Sequence, residues 1–222
     1  MGRVRQAGKN IFFGYISNFI ILAMGLLQRD VFIRTLGRTL LGVNSLYTDI
    51  LSMLSLAELG IGSALNYSLY KPVASGDLEK IKSYMQLYRK AYLAIAGVIG
   101  GIGLALAPFL PYLIKESERG EISVRELTVY YLIFLFNTVS TYFVAYKYSL
   151  ANAQQCNYIQ TNIATITKIV TVLAQIIVLY LTGNFLLYLL IQAAVELIQK
   201  IFVSVYFNRL YPYLRDRKVR KL

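Results

Sequence analysis

From Tyr148 to Asn208 the chain carries only three charged residues, Lys168, Glu196 and Lys200. Crossing a hydrocarbon core about 30 Å thick takes roughly 20 apolar residues, so a run this long has to fold back on itself. Thr182, Gly183 and Asn184 supply turn chemistry at its middle, which predicts helices over 158–182 and 185–207. The same reading upstream gives four more. The first covers 10–35 around the uncharged run Asn10 to Gln28, and the second covers 40–70, interrupted only by Asp49 and Glu58. The third is 91–114, with Pro108 and Pro111 near its end, and the fourth is 127–148. The expected fold class is an all-α integral membrane protein with six transmembrane helices. Composition agrees: 57% of the 222 residues are hydrophobic, 15% are charged and the mean hydropathy is +0.53, too apolar for a soluble domain of this length.

The net charge of +12 has two readings, nucleic acid or membrane topology, and placement decides between them. Six spans with both termini inside put fifteen Lys and Arg in inner segments: Arg3, Arg5, Lys9, Lys71, Lys80, Lys82, Arg89, Lys90, Lys147 and six in the tail after Asn208. The outer segments hold only Arg29, Arg34, Arg38, Lys115, Arg119 and Arg125, beside Glu116, Glu118, Glu121 and Glu126. Cytoplasmic loops carry the basic excess, so both termini are expected to be cytoplasmic. The basic N-terminus lacks a small-x-small cleavage site after its apolar run and reads as a retained first helix.

Enzyme chemistry is poorly supplied. The chain has no histidine and one cysteine, Cys156, so neither a disulfide framework nor a histidine metal site or general base is available. The carboxylates inside the spans are too scattered for a paired acid and base. No catalytic activity, metal or cofactor is expected. Over 75–90 an amphipathic cytoplasmic segment is expected, with Asp77 capping a helix whose Leu78, Ile81, Met85 and Tyr88 share a face. It lies on the inner membrane surface or extends the third span. The tail over 208–222 is basic enough to touch anionic membrane lipid.

Ionisable side chains are costly within a bilayer and face a protein interior or a hydrated cavity. At 100° per residue, Thr48, Ser52, Ser55 and Asn66 fall close to one line on the second span, flanked by Asp49 and Glu58. Thr161, Thr165, Lys168 and Gln175 follow helical spacing on the fifth span, and Tyr188, Gln192, Glu196 and Gln199 do so on the sixth. Stripes on several spans point to a shared cavity rather than to packing alone. Lys168 and Glu196 both lie near the midplane, and Lys200 follows Glu196 by one turn, so Glu196 is expected to neutralise one or both lysines. Arg29, some 28 Å along the first helix by helical rise, either snorkels to the outer interface or faces the cavity, with Asp30 offsetting part of its charge.

The stretches RTLGRTLLGVNSLYTDILSMLSLAELGIGSALNYSLYKPVASGD, KIKSYMQLYRKAY, NTVSTYFVAYKYSLANAQQCNYI and NRLYPYL, in this order, resemble the amino-terminal half of bacterial polysaccharide transporters. These form the flippase branch of the multidrug/oligosaccharidyl-lipid/polysaccharide exporter superfamily. QRDVFIRTLG is similar to the first-helix stretch of the superfamily's lipid II flippases, in which an arginine faces the central cavity.

The resemblance implies one lobe of an inner-membrane transporter that moves an isoprenoid-diphosphate-linked oligosaccharide to the outer leaflet. Arg29, Arg34 and Lys168 become candidate cations for the phosphates. Asn44, Thr48, Ser52, Asn137, Thr141, Thr165 and Gln192 become candidate sugar contacts, with Asp30, Asp49, Glu58, Glu196 and Lys200 as coupling or neutralising groups. Family members carry twelve or more spans, so a six-span chain is expected to need a second lobe or a second copy to rock against. Two other readings compete. One is a cation-coupled multidrug exporter using Asp49, Glu58 and Glu196; the other is a non-transporting scaffold for glycan-assembly enzymes.

Overall fold

The computed structural model describes residues 3–56, 59–114 and 122–215. Residues 1–2, 57–58 (Glu58 among them), 115–121 and 216–222 lie outside them. The described residues form an all-helical bundle: α1 (Arg3–Leu56), α2 (Leu59–Ser75), α3 (Leu78–Leu106), a 3₁₀ turn (Ala107–Phe109) leading into the short α4 (Leu110–Leu113), α5 (Val124–Ala153), α6 (Asn157–Thr182), α7 (Phe185–Leu210) and a closing 3₁₀ turn (Pro212–Arg215). Five helical stretches are long and apolar enough to cross a membrane: Gly8–Leu56, Leu78–Leu113, Val124–Ala153, Asn157–Thr182 and Phe185–Leu210.

The first of these is doubled back. Gly37 is the one residue of α1 with non-helical angles, φ 84° and ψ 177°, a region open essentially to glycine alone. Its two arms then face each other, since Gly25, Gln28 and Phe32 line the same cavity as Leu41, Asn44 and Thr48. The first arm runs parallel to α6, with Asn10 meeting Tyr158, Ser17 meeting Thr165 and Gln28 meeting Gln175. The second arm runs parallel to α5: Tyr47 touches Tyr131 and donates to the Leu127 carbonyl at 3.0 Å, and Ser55 shares a cavity with Thr141. Residues 40–70, expected as a single span, are thus the second arm followed by α2.

Capping fixes the other ends. Asp77 accepts from the Lys80 backbone N–H at 3.1 Å, which also holds its carboxyl below the usual carboxylate value. The helix it starts, α3, is continuous from Leu78 to Leu106, so residues 78–90 extend the third span, one of the two placements expected for the segment 75–90. Ile81, Met85 and Tyr88 are buried there, whereas Leu78 is exposed. Ser123 and Glu126 form a reciprocal capping box on α5. Gly183, in the left-handed region, ends α6, and the Asn184 side chain starts α7 by accepting from the Leu187 N–H.

Helix α5 is the central element, packed against α1, α2, α3, α6 and α7. Two apolar clusters stack along it. One, around Phe32, Tyr47, Leu127, Tyr131, Phe185 and Tyr188, sits at the end that holds Gly37 and Gly183. The other, around Leu69, Tyr88, Tyr92, Leu150, Phe207 and Tyr211, sits at the end that gathers the start of α1, the end of α7 and the turns near Gly76 and Gln155. At Gly103 the α3 backbone comes so close to α5 that an added Cβ would overlap Leu135, and Tyr131 donates to the Gly103 carbonyl at 3.0 Å. Outward-facing Phe12, Phe19, Leu26, Ile166, Ile177 and Leu181 leave an apolar periphery suited to lipid.

Lys147, expected in an inner loop at the end of the fourth span, instead lies inside α5 and is 3% exposed. Its ammonium donates to the Ser204 carbonyl at 3.0 Å, Ser204 Oγ at 2.9 Å and Asn208 Oδ1 at 3.0 Å. All three N–H donors are satisfied by neutral oxygens of α7, which is what permits the burial.

Because no atom stands within 4 Å of a Cβ added at Gly37, its constraint is purely conformational. Gly37→Ala is expected to cost about 1–3 kcal/mol of stability. Gly42→Ala, at an equally open helical glycine, is expected to cost nothing. Thermal unfolding of the two purified variants in detergent micelles checks the difference, and equal melting temperatures would contradict the role given to Gly37.

Candidate functional site: a polar cavity face

Two connected cavities open on one side of the bundle between the α1 arms, α5, α6 and α7. The upper one, toward Gly37, has a volume of about 300 Å³, and its wall includes Gln28, Arg29, Asn44, Ser45, Lys168 and Tyr188. The lower one, toward the chain termini, has a volume of about 370 Å³ and is walled by Ser52, Ser55, Asn137, Thr138, Thr141 and Glu196 among others. Thr48, Phe134 and Gln192 belong to both. Such volumes sit at the lower end of the range for small-molecule sites.

A continuous hydrogen-bonded chain underlies this face. Lys168 donates to Gln28 Oε1 at 2.6 Å, and the Gln28 amide donates in turn to Gln175 Oε1 at 2.8 Å and to the Tyr188 hydroxyl. Gln175 donates to Gln192 Oε1 at 3.3 Å, and Gln192 donates to Glu196 Oε1 at 3.0 Å. Lys200 closes the chain. It donates to Ser140 Oγ at 2.7 Å, the Asn137 carbonyl at 3.1 Å and Glu196 Oε2 at 3.4 Å. With three donors and three acceptors, the Lys200 ammonium is fully committed, and it neutralises Glu196.

The candidate cations divide accordingly. Arg34 is not a cavity residue: its Nε lies 2.9 Å from Asp30 Oδ2, both side chains are exposed, and the pair belongs to the far end of the first arm. Asp30 therefore offsets Arg34, one helical turn on, and not Arg29. Arg29 lines the upper cavity and has no ion-pair or hydrogen-bond partner among the described residues. Lys168, which lines the same cavity, spends one of its three donors on Gln28. The ion pair of Glu196 is with Lys200, and Lys168 reaches it only through the amide chain.

Of the expected sugar contacts, Asn44, Thr48, Ser52, Asn137, Thr141 and Gln192 line one or both cavities. Thr165 does not; its hydroxyl is buried against Ser17 Oγ and binds α6 to the first arm. Asp49 is exposed and lines neither cavity, and Glu58 is outside the described residues. Gln28 was missed, as were Gln175 and Tyr188 as members of one network. A signal existed for the first: Asn10, Ser17 and Gln28, separated by 7 and 11 residues, fall within about 20° of one line on a helix and mark the polar face of the first arm.

The fold defines the class: a helical membrane protein that spans its bilayer several times. No family model, no curated protein and no solved structure matches this chain.

Lys200 and Glu196 act as a unit. Lys200→Met leaves a carboxylate at membrane depth without its counter-charge and is expected to cost about 3 kcal/mol or more. Adding Glu196→Gln is expected to recover most of that loss. Thermal unfolding of the two single variants and the double variant measures the coupling, and additive losses would show that the pair is not coupled.

Proposed function

We propose that this chain is one lobe of a transporter that carries an isoprenoid-diphosphate-linked oligosaccharide across a bacterial inner membrane. The observation that carries the proposal is the pair of cations with donors to spare, Arg29 and Lys168, lining one polar cavity. Cations with donors to spare suit a diphosphate, whose oxygens accept from several N–H groups at once. Amides and hydroxyls beside them suit sugar. The apolar periphery suits the isoprenoid tail.

In this reading the two arms of α1 make separate crossings, and α2 completes the second, for six in all. Lys9, Lys71, Lys80, Lys82, Arg89, Lys90 and Arg209 belong to the termini and turns gathered at one end of the bundle, so that end faces the cytoplasm. The cavities open sideways, where lipid would otherwise meet polar groups at membrane depth. A second lobe, facing this one across the substrate, removes that cost and supplies the body for alternating access. The resemblance of the quoted stretches to polysaccharide transporters points the same way. The multidrug reading is less well supported, since it needs an available acid in the cavity and Glu196 is held by Lys200 and Gln192.

Binding of a fluorescent short-chain isoprenyl diphosphate to the purified protein in lipid nanodiscs tests this. Arg29→Ala and Lys168→Met are each expected to weaken binding about tenfold or more, the loss of one charge-assisted hydrogen bond. Arg34→Ala, at a cation already paired outside the cavity, is expected to leave it within about twofold. Equal effects from all three, or binding unaffected by any, would overturn the assignment.

A further inference from the structure

Each arm of α1 turns a row of polar or small residues away from the helix it packs on. Tyr47 holds the second arm against α5, and Asp49, two residues on, points about 200° away around the helix. Ser45, Asp49 and Ser52 fall within an arc of about 60° on that outer edge, and all three are exposed. The first arm meets α6 through Asn10, Ser17 and Gln28. Asn18, Gly25 and Arg29 lie roughly 90° round from that contact and within an arc of about 40°. Asn18 and Arg29 are exposed, and a Cβ added at Gly25 would meet nothing within 4 Å.

Arg29 and Asp49 carry opposite charges, and neither has an ion-pair or hydrogen-bond partner among the described residues. They also stand at matching depth. Gly25 precedes the bend at Gly37 by twelve residues and Asp49 follows it by twelve, so each lies about 18 Å along its arm. Arg29 is one turn above Gly25 on the same edge, and Thr48, the neighbour of Asp49, lines the upper cavity together with Arg29. Charges on spanning helices face protein or water rather than lipid, so both edges call for a protein partner.

The two edges border the open face. A two-fold axis along the membrane normal, set in front of that face, keeps two copies in the same orientation and lays the first arm of each along the second arm of the other. Gly25, Ser45 and Ser52 are small enough to let the arms approach closely, and the Arg29 side chain covers the remaining turn to Asp49.

We propose that the body facing this lobe is a second copy of the same chain, joined to it by two symmetry-related ion pairs between Arg29 of one copy and Asp49 of the other. The inference rests on the transporter reading, in which a second lobe covers the open face, and it names that lobe. Arg29 keeps its place at the cavity, because five N–H donors suffice for a carboxylate across the interface and an anion within.

Förster transfer between copies of the full chain labelled at the N-terminus, reconstituted in lipid vesicles at rising protein-to-lipid ratio, measures the association. The unaltered chain is expected to associate in pairs. Arg29→Asp and Asp49→Arg are each expected to weaken the pairing about tenfold or more, and the two together to restore it to within about threefold. A gain on adding the second substitution cannot come from misfolding. Absence of transfer in the unaltered chain overturns the second copy without recourse to any variant, and association that the double exchange fails to restore overturns the ion pairs. Binding of a short-chain isoprenyl diphosphate, measured separately on the unaltered chain, keeps the two ideas apart. Diphosphate binding without self-association sinks the second copy alone, whereas self-association without diphosphate binding supports the interface and sinks the diphosphate reading.

Discussion

A bilayer core gives polar side chains nowhere to go but each other, and the interior of this bundle is arranged around that fact. Lys200 is the clearest instance. Its three N–H groups meet a hydroxyl, a carbonyl and a carboxylate supplied by α5 and α7, and no donor is left over. From there amides relay hydrogen bonds through Gln192, Gln175 and Gln28 to Lys168, so one network crosses from α7 to α6 and the first arm of α1. The helices are held in register by this polar seam as much as by the apolar clusters at either end, because a slip along any helix would strand a charged or amide group without a partner.

Against this background of satisfied groups, the unsatisfied ones stand out. Arg29 and two donors of Lys168 are left over on the open face, while Asn66, Asn137, Asn152 and Thr171 each keep a buried oxygen without a partner. Arg34 is paired with Asp30 and Lys147 is held by three neutral oxygens, whereas Arg29 and Lys168 keep N–H donors over the cavity. The distinction comes from hydrogen-bond accounting and not from residue type.

Long apolar helices were readable because length without charge is a one-dimensional property, but the expected span 40–70 is divided between the second arm of α1 and α2. The turn at Gly183 and Asn184 was readable for the same reason, through residues whose backbone and side chain favour it. Lys147 was misplaced because a charge after an apolar run was taken to end the helix. What keeps it inside is Ser204 and Asn208, 57 and 61 residues further on, and no local pattern announces such partners. The Arg34 and Asp30 pair was visible in its four-residue spacing, but the cavity role suggested by resemblance was given priority over that simpler pairing. Depth placed Lys168 and Glu196 correctly along their helices. Rotation and neighbours then decided that one meets Gln28 and the other Lys200, and neither quantity is contained in a single helix.

Lys147 and Lys200 join the same two helices, α5 and α7, about two turns of the bundle apart. Rods riveted at two heights can neither pivot about one rivet nor slide past each other. They form a stiff post. On the other side, the first arm and α6 meet the post through the amide and phenol groups of Gln28, Gln175, Gln192 and Tyr188. The open face thus has one wall pinned by two ammonium groups and another, carrying Arg29 and Lys168, that is joined to it by uncharged groups.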